Sequence, residues 1–432
     1  MKLLLILPRN DRGYWGKLSK SGKAGFMRLN LPTIAALTPK DWEVEILDAR
    51  ARPVDYNAKA DLVGITGFTA EMPGAYEIAD NFRRKGVKVV MGGVHVSAMP
   101  DEALKHADCV VIGEAELVWE GLLSDFKRGA LKDRYKAERL CDMKGMPHPR
   151  RELVDRKMYL SGFNTLQATR GCPFNCDYCA VTAFFGNEFR VRPIDDVIAD
   201  IETFDTNHFF FVDDNIVGRA NYAKELFERL KPMKRIWGSQ ASITMAKDPE
   251  LLRLYYESGG RYAFIGIESL SQKNLDQMHK GWNSAKGYKE AIKKIHGAGI
   301  NIVGSFVFGL DDDDKTVFKS TFDFIMENNI DAAQFHILTP LPGTVTYRTL
   351  EKEGRITDHD WAKYHTGEVV FQPKGMTAEE LQRGYFWIFR ETYKTKNILK
   401  RCLRSRRGLV YRIGMNLSYR NKALKMPEVK GM

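Results

Sequence analysis

No stretch of this 432-residue chain approaches the run of about 20 apolar residues that a membrane-crossing helix needs, although 44% of its residues are hydrophobic. The apolar start MKLLLILPRN stops at Pro8-Arg9-Asn10 without a small-residue cleavage site, so it is expected as a buried first strand rather than a secretion signal. Cysteine is scarce: six residues in the whole chain are too few for a disulfide framework, which suits a reducing cytoplasm. No low-complexity tract dominates, and the length points to two or three domains. Acids are missing from one region. Between Lys394 and Lys425 there are 11 Lys or Arg and no Asp or Glu. That segment accounts for the entire net charge of +11, the rest of the chain is neutral, and a broad nucleic-acid groove is not indicated.

What cysteine there is gathers at one place. Arg170-Gly171-Cys172-Pro173-Phe174-Asn175-Cys176-Asp177-Tyr178-Cys179 holds three of the six, spaced C-x3-C-x2-C. A turn-rich loop with that spacing aims three thiolates at three corners of one iron–sulfur cube. A [4Fe–4S] centre is ordinarily held by four cysteines, and Cys109, Cys141 and Cys402 lie far off in the chain. One iron is then left open for a substrate or cosubstrate. A zinc knuckle requires a fourth Cys or His at ligand spacing, and none follows. A plain electron carrier has no use for an open iron.

The first third alternates short β-branched runs with helical patterns, as in a parallel, doubly wound α/β sheet. Strands are expected at Lys2 to Ile6, Trp42 to Asp48, Asp61 to Thr66, Val87 to Met91 and Cys109 to Ile112. Ligands of such sheets sit at the carboxyl ends of the strands. Those ends carry Thr66-Gly67-Phe68-Thr69, Gly92-Gly93-Val94-His95-Val96-Ser97 and Gly113-Glu114-Ala115-Glu116, where glycines let a large flat or phosphate-bearing ligand approach the backbone. Residues 1–135 are expected to form this domain, and 136–160, basic and proline-bearing, a linker.

From 161 to 345 six strand–helix units can be traced, suiting a partial (βα)6 TIM-like barrel. Polar groups collect at the strand ends, where barrel enzymes place their sites: Asp213-Asp214-Asn215, Ser239, Glu268 and Gly309. Residues 346–432 read as a small, mainly helical extension. Its tail interleaves Ile398, Leu399, Leu403, Leu409, Val410, Ile413 and Leu417 with cations, the pattern of a segment docking on an anionic membrane surface, with RNA binding or a solvated tail as alternatives.

The cysteine spacing, with Tyr178 before the last cysteine, resembles the signature of radical S-adenosylmethionine (SAM) enzymes. The order DLVGIT, VVMGGVH, VVIGEAE resembles the cobalamin-binding domain that precedes the radical SAM barrel in one large subgroup. That resemblance implies a [4Fe–4S] cluster on Cys172, Cys176 and Cys179, with SAM chelated at the open iron and cleaved to methionine and a 5′-deoxyadenosyl radical. It implies SAM contacts from Tyr178, Asp213, Asp214, Ser239, Glu268 and Gly309. Cobalamin contacts are implied for Thr66, Gly67, Phe68, Gly92, Gly93, His95, Ser97, Gly113 and Glu114. The cobalamin motif D-x-H-x-x-G is absent: Asp48-Ala49-Arg50 places Arg50 where its histidine would stand, so no histidine from that motif is expected on cobalt. The extension resembles that of methyltransferases acting on hydrophobic molecules such as hopanoids and tetrapyrroles. Tyr347, Trp361, Tyr364 and His365 are candidates for a substrate pocket there. The implied activity is methylation of an unactivated carbon by way of methylcobalamin, with cyclisation or rearrangement as the alternative. Flavodoxin or ferredoxin is the implied reductant, and a cytoplasmic site, at the inner face of the membrane when the tail docks, is the implied location.

Replacing Cys172, Cys176 or Cys179 with alanine is expected to abolish cluster assembly and SAM cleavage, whereas Cys109→Ala leaves both intact. Iron and sulfide content after anaerobic reconstitution decides this; a full cluster in Cys176→Ala would sink the assignment.

Overall fold

A computed structural model describes residues 1–12, 25–159, 162–403 and 408–429. Its first sheet contains β1 (Lys2–Leu7), β2 (Glu43–Asp48), β3 (Leu62–Thr66), β4 (Lys88–Gly92), β5 (Cys109–Ile112) and β6 (Arg134–Lys136). They lie in the order β2-β1-β3-β4-β5-β6, every pair parallel. Strand β1 shows why both faces are covered. Leu3, Leu5 and Leu7 point into one core with Leu31 and Trp119, while Leu4 and Ile6 point into another with Met72 and Phe82. Burial on both faces is the mark of a parallel sheet flanked by helices. β6 was not expected as a strand. It is three residues long and only Tyr135 is buried, so it carries no readable periodicity. The strand order turns back between β1 and β3, which puts the ligand crevice at the carboxyl ends of those strands.

The second sheet begins at β7 (Asn164–Leu166), followed by a small antiparallel pair, β8 (Thr169–Arg170) and β9 (Arg190–Val191). It continues with β10 (His208–Phe211), β11 (Ile236–Ala241), β12 (Gly260–Glu268), β13 (Asn301–Phe308) and β14 (Ala332–Ile337). Six parallel strands in the order β14-β13-β12-β11-β10-β7 make a partial barrel. Among the described residues no strand joins β14 to β7. Side chains alternate across it: Phe209, Phe211, Trp237 and Ile265 pack against the helices, and Phe210, Gly238 and Tyr262 share the inner face. The helices are set by ordinary start signals. Asp248 accepts the Leu251 N–H at 3.0 Å ahead of Pro249–Glu257, and Thr377 with Glu380 forms a capping box ahead of Ala378–Thr392.

The basic tail is not a free amphipathic segment. Helices Thr395–Cys402 and Leu409–Ala423 dock at the amino ends of the barrel strands. Arg412, 1% exposed, donates from Nη1 to Asn301 Oδ1 at 3.1 Å and from Nη2 to the Cys402 carbonyl at 2.9 Å, with Nε 3.5 Å from Asp331 Oδ1. Arg401, fully buried, donates to Asn416 Oδ1 at 3.1 Å and to the Thr392 carbonyl at 2.9 Å. Tyr411 sits edge-on to Tyr262, and Tyr419 bonds Gln334. Two of the tail's cations thus hold the fold together, while Arg404, Arg406 and Arg407 lie outside the described residues.

Arg412→Met is expected to cost about 3 kcal/mol, the lower end for breaking a buried ion pair, because His296 still faces Asp331 at 3.0 Å. Hydrogen exchange across 409–423 should accelerate in that variant and stay unchanged in Lys396→Met, an exposed tail cation. Equal protection in both would show that the buried arginine does not secure the helix.

Candidate active site

The cysteine loop leaves the barrel at β8. Gly171 adopts φ +85°, and a Cβ there would lie 2.1 Å from the Glu188 carbonyl oxygen, so only glycine fits. The loop then turns tightly, Cys179 N–H donating to the Cys176 carbonyl at 3.1 Å. All three thiols are free and partly exposed. They are not all within 4.8 Å of one another, whereas thiolates on one tetrahedral zinc stand about 3.8 Å apart. Three cysteines are also one ligand short of a closed structural zinc site. Burial pushes the thiols up, Cys176 to about 12 against the opposing pull of Lys280, so they bind as thiolates only when metal displaces the proton.

Two adjacent acids brace this loop from the end of β10. Asp213 is fully buried; its carboxylate accepts from Thr169 Oγ1 at 2.7 Å, from Ala168 N–H at 3.1 Å and from Thr169 N–H. Desolvation pushes it up to about 7 against those donors. Asp213, expected at SAM, here ties the strand to the loop through these bonds. Asp214 Oδ2 accepts the Gly171 N–H at 3.1 Å and faces the loop itself; burial pushes it up to about 6. Ser239 was also expected at SAM. It shares the helix-facing side of β11 with Trp237, is fully buried, and donates to the Phe211 carbonyl at 3.2 Å. Its neighbour Gln240 occupies the inner face instead.

Glu268 ends β12 at a register shift and holds φ +65°, the left-handed region that non-glycine residues rarely adopt. Lys280 donates to its Oε1 at 2.7 Å, and Ser305 Oγ lies 3.4 Å from Oε2. Lys280 Nζ is also 3.5 Å from the Tyr178 hydroxyl. A Cβ on Gly266 would stand 2.2 Å from Glu268 Oε1, so the glycine makes room for the pair. Lys280 and Ser305 were missed from sequence; Lys280 sits in a loop, where nothing local signals that it turns inward. His336, on the inner face of β14, was missed as well; its Nδ1 lies 2.9 Å from Thr366 Oγ1, and burial lowers its pKa. Gly309 takes φ +89° at the end of β13, its N–H bonded to Asp313 Oδ2 at 3.0 Å, with Leu381 and Phe371 behind it.

Between the two sheets lies a cavity of about 490 Å3. Thr66, Gly67, Phe68, Gly92, Gly93, Gly113 and Glu114 line it from the first sheet, over a floor of Leu5, Ile65, Val90 and Val111. Gln167, Arg170, Phe184 and Val212 close it from the barrel. A side chain on Gly93 would strike Thr66 Oγ1 at 2.5 Å. The flat, apolar, glycine-edged floor suits a broad macrocycle, and no described lining residue is a histidine. Two of the expected contacts are elsewhere. Ser97 Oγ accepts the Gly113 N–H at 2.9 Å. His95, 1% exposed, turns away toward Tyr76 (3.4 Å) and Glu102 (3.6 Å) and lies edge-on to Trp361. Glu114 edges the cavity, but its oxygens are taken by Arg170 (2.5 Å) and Arg190 (2.7 Å) and by the Cys141 N–H (2.6 Å). With both arginines present, the nearby grouping of Glu114, Glu116 and Cys141 is already neutralised without a metal.

A second cavity, about 570 Å3, adjoins the first at Phe68, Arg28 and Val94. Of the four aromatic candidates in the extension, Tyr364 and His365 line it. Trp361 instead donates to Glu102 Oε1 at 2.9 Å, and the Tyr347 ring lies tilted beside it, centroids 6.5 Å apart.

These features define an iron–sulfur enzyme that couples a radical SAM barrel to a corrinoid-binding domain. Residues 166–325 match the radical SAM superfamily, 27–123 the B12 binding domain and 344–425 a domain of unknown function. The bacteriochlorophyllide d C-12(1)-methyltransferase of Chlorobaculum tepidum is 35% identical over 93% of this chain and 89% of its own. The C-8(2)-methyltransferase for the same compound from that organism is 31% identical, covering 90% of each. Among solved structures, the methyltransferase TsrM of Kitasatospora setae, with cobalamin and a [4Fe–4S] cluster bound, superposes with a TM-score of 0.67 at 16% identity, covering 89% of this chain and 85% of that one. The chain belongs to the cobalamin-dependent radical SAM methyltransferases, and its cofactors are a [4Fe–4S] cluster, SAM and cobalamin.

With no histidine on the first cavity, the Co(II) form of the corrinoid-loaded protein is expected to show an electron paramagnetic resonance spectrum without nitrogen hyperfine splitting from an axial imidazole. Such splitting, abolished by His95→Ala, would contradict the cavity assignment.

Proposed function

We propose that the enzyme transfers a methyl group to an unactivated carbon of a hydrophobic, tetrapyrrole-like substrate. The observation that carries this is the meeting of two cavities at Phe68, one on the glycine-edged strand ends and one between the cysteine loop and the extension. The name of the 35%-identical relative supports the substrate class. When bound, the cluster and SAM supply the radical chemistry and the corrinoid supplies the methyl group.

The chain's own residues do the positioning. Cys172, Cys176 and Cys179 hold the cluster. Asp214 keeps their loop in register through Gly171. Glu268, fixed by Lys280, presents a carboxylate for the SAM amino group or ribose, with Tyr178 beside it. The backbone at Gly309 is open to the adenine. Thr66, Gly67, Gly92, Gly93 and Gly113 seat the corrin ring, and Phe68, 57% exposed, stands between ring and substrate. Tyr364 and His365 belong to the substrate's wall. Apolar lining excludes water from the reacting carbon.

The tail's outer side keeps a second, surface role in this reading. Leu399, Leu403, Val410, Leu417 and Leu424 are exposed there beside Lys394, Lys396 and Lys400. Each cation near an anionic leaflet contributes about 1 kcal/mol, which is enough for reversible docking where an apolar substrate is collected.

Anaerobic turnover with methyl-labelled SAM should give a product carrying the label on carbon. A product of altered mass without label would favour the cyclase or rearrangement reading instead.

For the membrane, Leu403→Glu with Leu417→Glu is the suitable variant, since truncating the tail would also remove the buried Arg401 and Arg412. The intact protein is expected to bind anionic vesicles, to be released by salt and to ignore neutral ones; unchanged binding of the double variant would remove the tail from the interface.

A further inference from the structure

The second cavity is chemically lopsided. Its lining holds three arginines, Arg9, Arg28 and Arg50, and one acid, Glu71. Glu71 is wholly engaged by Arg28, which grips both carboxylate oxygens at 2.7 Å and lies flat over Phe68 at 4.3 Å. Arg28 is therefore wall. The other two have donors to spare, and Arg50 is also held from behind. Arg50 donates from Nε (2.8 Å) and Nη2 (2.5 Å) to Asp48, an anchor that Tyr159 also bonds at 2.8 Å. Its Nη1 has no partner among the described residues. Arg9 Nε lies 2.5 Å from Asp11 Oδ1 as an ion pair without hydrogen-bond geometry, and no described acceptor bonds its terminal nitrogens. Across the cavity His365 is fixed by Nε2 against Glu368 at 2.6 Å, and its buried Nδ1 has no described partner.

An arginine fixed on one edge by a carboxylate presents its remaining N–H groups as a preset fork, the arrangement that recognises a second carboxylate. The rest of the lining is apolar: Phe68, Ala70, Val94, Leu341, Pro342. Ala180, the residue after Cys179, is also part of it, so the cavity reaches the edge of the cysteine loop.

We propose that Arg9 and Arg50, with His365 opposite, seat a carboxylate carried by the hydrophobic substrate and so fix which carbon faces the cysteine loop. The proposal rests on the reading of this cavity as the substrate's. It defines the substrate class further: an amphiphilic acid rather than a neutral polycycle. These residues mark the specificity end of the site, at the carboxyl ends of β1 and β2. Arg50 occupies the place of a missing cobalt-ligating histidine, yet it lines the second cavity and not the first.

The test uses the full chain loaded with cluster and corrinoid, and two probe pairs: protoporphyrin IX with its dimethyl ester, and hexadecanoic acid with its methyl ester. Dissociation constants are measured at neutral pH for the native protein, Arg9→Gln and Arg50→Gln. The native protein is expected to favour the free acid by about tenfold or more, the scale of one charged hydrogen-bonded contact. Each variant should bring acid and ester close to parity while corrinoid loading stays the same; the thermal midpoint should hold in Arg9→Gln and fall in Arg50→Gln, which leaves buried Asp48 without its arginine. Acid and ester bound equally by the native protein would overturn the carboxylate seat and leave a hydrophobic substrate standing. A preference seen for the fatty acid but no porphyrin binding would sink the tetrapyrrole reading and support the seat. Loss of corrinoid in the arginine variants would assign those side chains to the phosphate of cobalamin itself and overturn the proposal. No binding of any probe overturns both readings.

Discussion

Everything in the site depends on one buried carboxylate. Glu114 leaves the end of β5 in the corrinoid-binding sheet and meets Arg170 and Arg190 from the small β8–β9 pair of the barrel. Arg170 stands two residues ahead of Cys172, and Glu116 adds a second contact to it at 2.7 Å. The neighbouring carboxylates raise the affinity of Arg170 for its proton, against the cost of burial, so the network stays ionised. Breaking such a pair leaves an uncompensated charge in a dry interior. The same contact that joins the two domains therefore also fixes the cluster loop relative to the corrinoid cavity. Methyl and radical chemistry need that spacing to be constant, and an ion network with defined geometry supplies it better than apolar packing, which tolerates sliding.

The second constraint is local. Glu268 is held at positive φ at a strand irregularity, and its partner Lys280 arrives from twelve residues downstream. Backbone strain of this kind costs on the order of 1–3 kcal/mol and persists where the surroundings over-determine it. Gly266 without a side chain, Lys280 and Ser305 are those surroundings.

The architecture was largely legible because parallel sheets advertise themselves. Buried strands read as short β-branched runs, and all six barrel strands and five of the six in the first sheet fall where those runs are. The sixth, Arg134–Lys136, is too short and polar to show. The radical SAM family and its [4Fe–4S] cofactor were legible in the cysteine spacing because three cysteines lie within eight residues of sequence. Individual polar residues at strand ends were harder, since a shift of one position reverses the face. Ser239 falls among the helices for that reason, with Gln240 inward. The bonds of Asp213 to the backbone turn at Ala168 and Thr169 were not foreseen, because an acid after a strand looks the same whether it faces a ligand or a turn. His95 pointed away because the loop after Gly93 immediately becomes helix Val94–Ala98, which rotates it toward Trp361. The arginines of the second cavity come from three separate loops, and no sequence spacing could have joined them.

The docked tail helix has a consequence for the barrel's base. With Arg412, Tyr411 and Tyr419 seated beneath the strands, the amino end of the barrel is covered by the chain's own last described helix. The base of the vessel is thus supplied by residues 85 and 111 positions beyond the strand residues they bond, and the polar groups at Glu268 and Gly309 face the opposite mouth, toward the corrinoid-binding sheet.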